Sequence, residues 1–330
     1  MKTNVLIHEK HGVPSEVIQT TLYELPEPDD TQVIVKMLYS PINPADINML
    51  EGTYMIQPPL PCVLGNEGVG IIERSGKAVT HLKEGDLVIF PFKNRDTWIG
   101  LWAEKVLIQA EDLIKVPEGI PHEQAALLTV NPVTALQLLS LFCDLPRGST
   151  IVQNAANSGV GRWVIAIAKK MNISTINIIR DMTAANELKK LGATHIIQES
   201  ETFHKEIKSL CDDIPLALNA VGGNNAKECI KALAKNGTCV TYGAMSKQQI
   251  PISNGQLIFK NLWFTGFNRA SWVEESPRES ILEAYSFIFS LFLETNIHIP
   301  IVSKYTLDKA EDAILHAMQE KKNGKILFEF

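Results

Sequence analysis

No C-x-x-C pair occurs anywhere in this 330-residue chain, and its five cysteines (Cys62, Cys143, Cys211, Cys229 and Cys239) stand far apart. An odd number of scattered thiols builds neither a disulfide frame nor a zinc knuckle, and it suits a reducing compartment. A basic excess is also missing: 31 Lys and Arg face 37 Asp and Glu, a net charge of −6. Nucleic acids select a basic face, so they are excluded as partners. No apolar run reaches membrane-spanning length, which excludes an integral-membrane class. The first residues, Met1 to Ile7, enter strand-like sequence at once, and neither a signal nor a transit peptide is recognisable. The expected location is therefore cytoplasmic. His8, His11, His81 and the other histidines lack metal-ligand spacing, and no internal repeat or low-complexity segment is visible. What is there is 45% hydrophobic and 21% charged, a globular composition, in a chain too long for one ordinary core.

The most informative stretch is Gln153-Asn154-Ala155-Ala156-Asn157-Ser158-Gly159-Val160-Gly161. It follows a short apolar run, Ser149 to Val152, and opens a helical pattern with Val160, Val164, Ile167, Ala168 and Met171 on one face. Strand, glycine turn and helix in that order aim free backbone N–H groups at a dinucleotide pyrophosphate. A strict G-x-G-x-x-G is not met: counted from Ala156, the first two glycine slots hold Ala156 and Ser158, and only Gly161 is regular. An ordinary strand-to-helix loop is the competing reading. A second strand, Ser174 to Ile179, ends in Arg180, in the slot where an acidic residue grips a ribose 2′-hydroxyl and an arginine suits a 2′-phosphate. Arg180 thus predicts NADPH over NADH, whereas a carboxylate of Asp181 facing the phosphate would reverse the preference. Three further apolar segments, Leu216 to Val221, Thr238 to Gly243 and Leu262 to Gly266, each end in turn chemistry, with helical stretches between them. The fold class is α/β: a doubly wound parallel sheet with its loops gathered at the strands' carboxyl ends.

Residues before about 120 read differently. Gln32 to Met37, Gly68 to Ile72 and Asp86 to Phe90 are short β-rich runs broken by Pro and Gly, which predicts a compact, partly antiparallel domain. The pattern changes at Pro117-Glu118-Gly119-Ile120-Pro121. Two domains are expected, residues 1–122 with 276–330, and residues 123–275, the tail returning to complete the first. Leu262-Trp263-Phe264 reads as an apolar edge strand, which predicts a homodimer through the middle domain.

Several segments resemble one family: Asn43-Pro44-Ala45-Asp46-Ile47-Asn48-Met49, Gly65-Asn66-Glu67-Gly68, Asn131-Pro132-Val133-Thr134-Ala135, Gln153 to Gly161, Ile179-Arg180-Asp181, Thr241 to Met245 and Gly324-Lys325-Ile326. The chain resembles the zinc-independent members of the medium-chain dehydrogenase/reductase superfamily and, among them, the 2-enoyl thioester reductases. The resemblance implies a GroES-like catalytic domain beside a Rossmann domain that binds NADPH. The substrate would be an acyl thioester of coenzyme A or acyl carrier protein. It places cofactor contacts at Asn131, at Asn157, Ser158, Gly159 and Val160, and at Arg180, Asp181 and Met182. It continues them through Tyr242, Gly243, Ala244 and Met245, then Phe267, Asn268, Arg269 and Ala270, and finally Lys325. It also implies a homodimer.

Zinc members of the superfamily carry Cys and His where this chain has Asn43 and Asn66, so no metal is expected. Asp46 and Glu67 read as charges surviving from that lost site. Another group must then deliver the proton, and the resemblance places the donor at Tyr54, whose phenol stays protonated at neutral pH. The competing reading packs Tyr54 against Pro58-Pro59. Asn131-Pro132 has a second reading as a helix opening, and Trp98 and Trp102 have readings as entrance or as core. The family carries a Trp after Gly-Phe, whereas Asn268 follows Gly266-Phe267 here, which implies a differently shaped acyl pocket. A quinone or enone reductase of the same superfamily is the alternative enzyme, and an NADPH-binding regulator without turnover the alternative of another class.

Overall fold

The computed structural model describes every residue except 93–99, 296, 321 and 323; Trp98 lies outside the described residues. The chain divides into two compact units, Met1–Val130 with His298–Phe330, and Asn131–Ile297. Both boundaries fall later than the change in sequence pattern, because packing and not local composition sets them. Gln124 sits beyond the pattern change, yet its side chain clamps the backbone of Ile299: Nε2 donates to the carbonyl at 3.0 Å and Oε1 accepts the N–H at 2.9 Å. The helix Arg278–Thr295 stays with the second unit, burying Ile281, Tyr285, Ile288 and Phe292, the last against the Trp163 ring.

The first unit is mostly antiparallel. Its larger sheet runs Ile301–Tyr305, Lys325–Glu329, Gln32–Pro41, Val69–Ser75, Leu87–Ile89 and Ile114–Lys115, with Lys105–Gln109 also on Gln32–Pro41. The C-terminal strand enters beside residue 40, pairing Leu327 with Pro41 and Phe328 with Ser40. A smaller three-stranded sheet, Ile18–Glu24, Lys2–His8 and Cys62–Val63, covers a core that includes Leu6, Leu50, Trp102 and Phe328. Trp102 is core and not entrance: it is fully buried, its ring edge meets Phe328 at 5.1 Å, and its Nε1 donates to Pro41.

The second unit is a six-stranded parallel sheet in the order His195–Gln198, Ser174–Ile179, Thr150–Gln153, Leu216–Asn219, Thr238–Thr241, Trp263–Gly266. Helices alternate with these strands, so the central ones are buried on both faces and read as continuous apolar runs. The order reverses between Thr150–Gln153 and Leu216–Asn219. At that switch point the loops after neighbouring strands run in opposite directions and open the crevice where open α/β sheets bind ligands.

Candidate active site and cofactor cradle

In the second unit the helix Gly159–Met171 starts from a Ser158 cap, whose Oγ accepts the Gly161 N–H at 3.1 Å. Two contacts make glycine necessary here. A Cβ on Gly161 would lie 2.6 Å from the Ala156 backbone, and one on Gly159 would press on the Asn131 amide at 3.1 Å. The turn is tight enough that Ala155 adopts φ +47°, a left-handed conformation unusual for an L residue. Asn157 holds it from below, its carbonyl accepting Arg162 Nε at 3.1 Å, while the Arg162 guanidinium forks onto Glu187 at 2.7 and 2.9 Å.

Asn131 opens the helix Asn131–Ser140, and its Nδ2 is buried without a hydrogen-bond partner. A buried donor left unmade costs about 1–3 kcal/mol. An orphaned amide beside a glycine turn, at a helix start and at the sheet's switch point, fits a dinucleotide that brings acceptors to it.

The flanking loops fit the same ligand. Arg180 leaves the end of Ser174–Ile179 exposed. Asp181 is turned to a structural task, accepting the Thr183 N–H at 2.9 Å and so capping the turn Met182–Ala184. Past Thr238–Thr241, Tyr242 has its hydroxyl out of solvent, and burial holds that phenol well above its usual pKa against an opposing pull from the Ser158 hydroxyl. Gly243 approaches Ala220 closely, while Ala244 and Met245 are exposed. After the last strand, the Phe267 ring meets Phe142 edge-on at 6.2 Å. Asn268 caps the helix Arg269–Glu275 by accepting the Ala270 and Ser271 N–H groups at 2.9 and 3.1 Å. An indole could not make that cap, so asparagine at this position serves a helix start. Arg269 Nη2 donates to the Tyr285 hydroxyl at 3.2 Å.

Tyr54 and Lys325 belong to the first unit. Tyr54 follows the helix Pro44–Glu51, which ends on Gly52 at φ +76°. The half-buried ring packs on the core around Leu50 and Leu64, and its backbone is fixed at both ends: the N–H on Asn48 at 3.1 Å, the carbonyl accepting Gln57 Nε2 at 2.7 Å. Where zinc relatives keep their ligands, this chain has a closed polar cluster. Asn43 Nδ2 donates to Glu67 at 2.9 Å, Lys325 Nζ donates to Asn43 Oδ1, and Asn66 Nδ2 donates to Asp46 at 2.6 Å. Asp46 also accepts the Asn43 N–H at 2.8 Å, and Glu67 the Val130 N–H at 2.9 Å. Both carboxylates are fully buried. Burial lowers the Lys325 pKa, resisted by Glu67 and Asp46. Among the described residues no group of three or more His, Cys, Asp or Glu could hold a metal ion.

Sequence reasoning missed Asn225, a buried amide in the first turn of the helix Gly223–Ala232, and Asn154 and Asn219, buried amides at strand ends. For the last two the signal was the polar residue closing an otherwise apolar strand, which also reads as ordinary turn chemistry.

Comparison with known proteins agrees with this architecture. Residues 29–118 match the alcohol dehydrogenase GroES-like domain, and residues 159–286 the zinc-binding dehydrogenase family. The human mitochondrial enoyl-[acyl-carrier-protein] reductase is 39% identical over 325 residues, 96% of this chain and 86% of that one. The mitochondrial 2-enoyl thioester reductase heterodimer Etr1p/Etr2p of Candida tropicalis matches over both full chains with TM-score 0.87 at 28% identity. Etr1p in complex with NADP and crotonyl-CoA matches over both full chains with TM-score 0.88 at 28% identity. The cytoplasmic expectation is overturned, because relatives from human to Dictyostelium discoideum are mitochondrial. Scattered free thiols fit any reducing compartment, so composition could not separate the two. On the strength of these matches, the chain belongs to the enoyl thioester reductases of the medium-chain dehydrogenase/reductase superfamily.

Proposed function

We propose that this chain uses NADPH to reduce the α,β double bond of 2-enoyl thioesters, hydride going to Cβ and a proton to Cα. The observation that carries the mechanism is the donor set of the first unit. Asn43 and Asn66 put neutral amides, each bound to a buried carboxylate, in the slots where the resemblance assigns Cys and His to the superfamily's zinc members. An amide nitrogen has no lone pair to offer a metal, so a side chain must handle the proton. Tyr54 is that acid. Its phenol hydroxyl is the proton donor that the α-carbon needs once hydride has reached Cβ.

NADPH, when bound, supplies the hydride. Asn131, the turn Asn157 to Val160, the loop Tyr242 to Met245 and Phe267 to Ala270 hold the dinucleotide. Arg180 would hold the 2′-phosphate through charge-assisted hydrogen bonds, with Asp181 and Met182 next to it in the chain. Lys325 is the first unit's cofactor-contacting residue. Residues 1–130 with 298–330 are thus the catalytic domain, and 131–297 the NADPH domain.

The working form is a homodimer through the edge strand Trp263–Gly266. Trp263 is 63% exposed, and Ile258 and Phe259 of the preceding helix are 70% and 80% exposed, a concentration of apolar surface beside an edge strand that a partner copy would cover. Light scattering at micromolar concentration checks this; a monomeric mass refutes it. The activity is tested by NADPH consumption against crotonyl to hexadecenoyl thioesters, on coenzyme A and on acyl carrier protein, beside a quinone panel. Turnover of enoyl thioesters is expected. Consumption with quinones alone would move the chain to the quinone reductases, and none with any acceptor would leave an NADPH-binding protein.

A further inference from the structure

The loop Tyr242 to Met245 is held in place by side chains outside the proposed cofactor contacts. Asn154, the first residue after Thr150–Gln153, is fully buried and uses all of its amide. Its Nδ2 donates to Oδ1 of Asn219 and of Asn225, both at 2.8 Å, and its Oδ1 accepts the Ala220 N–H at 2.7 Å. Asn219, equally buried, gathers two more backbone groups: its Oδ1 accepts the Val221 and Gly222 N–H at 3.1 and 3.0 Å, and its Nδ2 donates to Thr241 Oγ1 at 3.1 Å. The segment fixed in this way is the floor of the next loop. The Ala220 carbonyl accepts the Met245 N–H at 3.0 Å, and the Val221 carbonyl accepts the Ser246 N–H and hydroxyl at 2.9 and 2.7 Å. The contact is close, since a Cβ on Gly243 would stand 2.9 Å from the Ala220 oxygen.

We propose that Asn154 and Asn219 are positioning residues of the dinucleotide site, setting the Tyr242–Met245 loop through the backbone of residues 220–222. The proposal rests on the NADPH reading above and deepens it. The chemistry asks for asparagine. A carboxylate at 154 has no proton to give and would face two amide oxygens. An apolar side chain there would leave the Ala220 N–H without its partner. Serine could not reach three partners at once. No member of the network titrates, so the loop is held alike across the pH range.

The test compares Asn154→Asp, which keeps an acceptor for Ala220 but loses both donors, with the milder Asn219→Asp, which keeps the oxygen that accepts from Asn154, Val221 and Gly222 and loses the donor to Thr241. NADPH affinity is read by fluorescence titration of the full chain without substrate, alongside urea denaturation and hydrogen exchange at Ala220 and Met245. Asn154→Asp should weaken NADPH binding roughly 10- to 100-fold and speed exchange at both amides, the scale expected when contact groups move by about an ångström. Asn219→Asp should weaken binding too, but by less, because it keeps the acceptor of Asn154, Val221 and Gly222 and loses only the donor to Thr241. Asn154→Asp binding NADPH as the wild type does would overturn the proposal, as would a loss of stability with affinity and exchange unchanged, the signature of a purely structural amide. Should Asn154→Asp fail to fold, Asn225→Ala removes one acceptor of the Asn154 amide and decides the matter: faster Ala220 exchange with weaker binding supports positioning, and unchanged binding refutes it. Failure of the wild-type chain to bind NADPH at all would instead strike the function reading.

Discussion

Both units bury polar clusters beside the residues that matter, but they are built from different chemistry. The first unit packs two carboxylates and a lysine among amides: Asp46, Glu67, Lys325, Asn43 and Asn66. The second uses the amides Asn154, Asn219 and Asn225, with Gln153 bridging Asn177 and the Gly161 carbonyl in the same layer. Buried charge has to be compensated and responds to pH, whereas buried amides need only donors and acceptors in balance. The difference follows the division of labour. Under the proposed function, neutral supports suit a loop that grips an anionic cofactor, because they add no charge of their own.

If chemistry belongs to the first unit and cofactor binding to the second, their variants must separate turnover from affinity. The largest effect is expected for Tyr54→Phe. General-acid assistance is worth about 10²–10⁴-fold, so turnover of enoyl thioesters should fall by about 2.7–5.5 kcal/mol of transition-state stabilisation while NADPH affinity stays nearly intact. Quinone reduction, which takes its proton on oxygen from water, should depend less on this residue. Steady-state kinetics with a parallel NADPH titration decides, and wild-type turnover in the variant would remove Tyr54 from the mechanism.

Next comes the charged frame itself. Glu67→Ala strips the partner from the Asn43 amide and the Val130 N–H and leaves Lys325 less compensated. Breaking a buried charge arrangement in this way costs about 3–5 kcal/mol. Urea denaturation should register it, and a loss below about 1 kcal/mol would mean the cluster is less coupled than its geometry states. Arg180→Ala is the counterpart in the second unit. It should cost about 1.5–3 kcal/mol of NADPH binding and leave NADH binding nearly unchanged. An unaltered NADPH/NADH ratio would refute the assignment.

Lys322, which feels the charge of Lys325 in the first unit, adds a pH dependence that the amide network has no group to produce. Burial, reinforced by Lys325, pushes Lys322 down to about 8, and Lys325 itself is lowered by burial. In the unfolded chain a lysine titrates near 10.4. Between those values the unfolded state holds more protons, so stability rises as pH climbs from about 8 toward 10; below the folded value both states are protonated and the burial penalty is fully felt. Lys322→Met should flatten that rise in urea denaturation followed from pH 7 to 10. A rise that persists unchanged would place its source elsewhere.

Much of this was legible in the chain. The apolar strands and glycine turn of the second unit could be read because each strand is buried on both faces and each helix shows its period locally. The strand order could not, since the pairing of Thr150–Gln153 with Leu216–Asn219 joins segments some sixty positions apart with no local mark. The domain limits were equally hidden, resting on the contact between Gln124 and Ile299. At the candidate site Arg180 stood out by its place after a strand and Tyr54 only through the family resemblance, while Asn154 and Asn219, which hold backbone, looked like turn residues. A short amide has the same appearance in a solvated loop and in a saturated buried network.

The smallest expected effect concerns the backbone of the turn and not the amides beneath it. Ala155 sits at φ +47°, where the Cβ of an L residue crowds its own carbonyl at a cost of about 1–2 kcal/mol. Ala155→Gly removes that crowding, since glycine visits this region freely. Glycine also gives the unfolded chain more freedom, which takes back about 0.5–1 kcal/mol. The balance is a gain of about 0–1.5 kcal/mol in urea denaturation. NADPH affinity should change less than threefold, because Asn154 and the Ser158 cap still fix the two ends of the turn. A variant less stable than the wild type would show that the Ala155 methyl packs well enough to outweigh the strain. A large loss of affinity without a change in stability would show instead that the strained backbone, and not the amide network, sets the turn for its ligand.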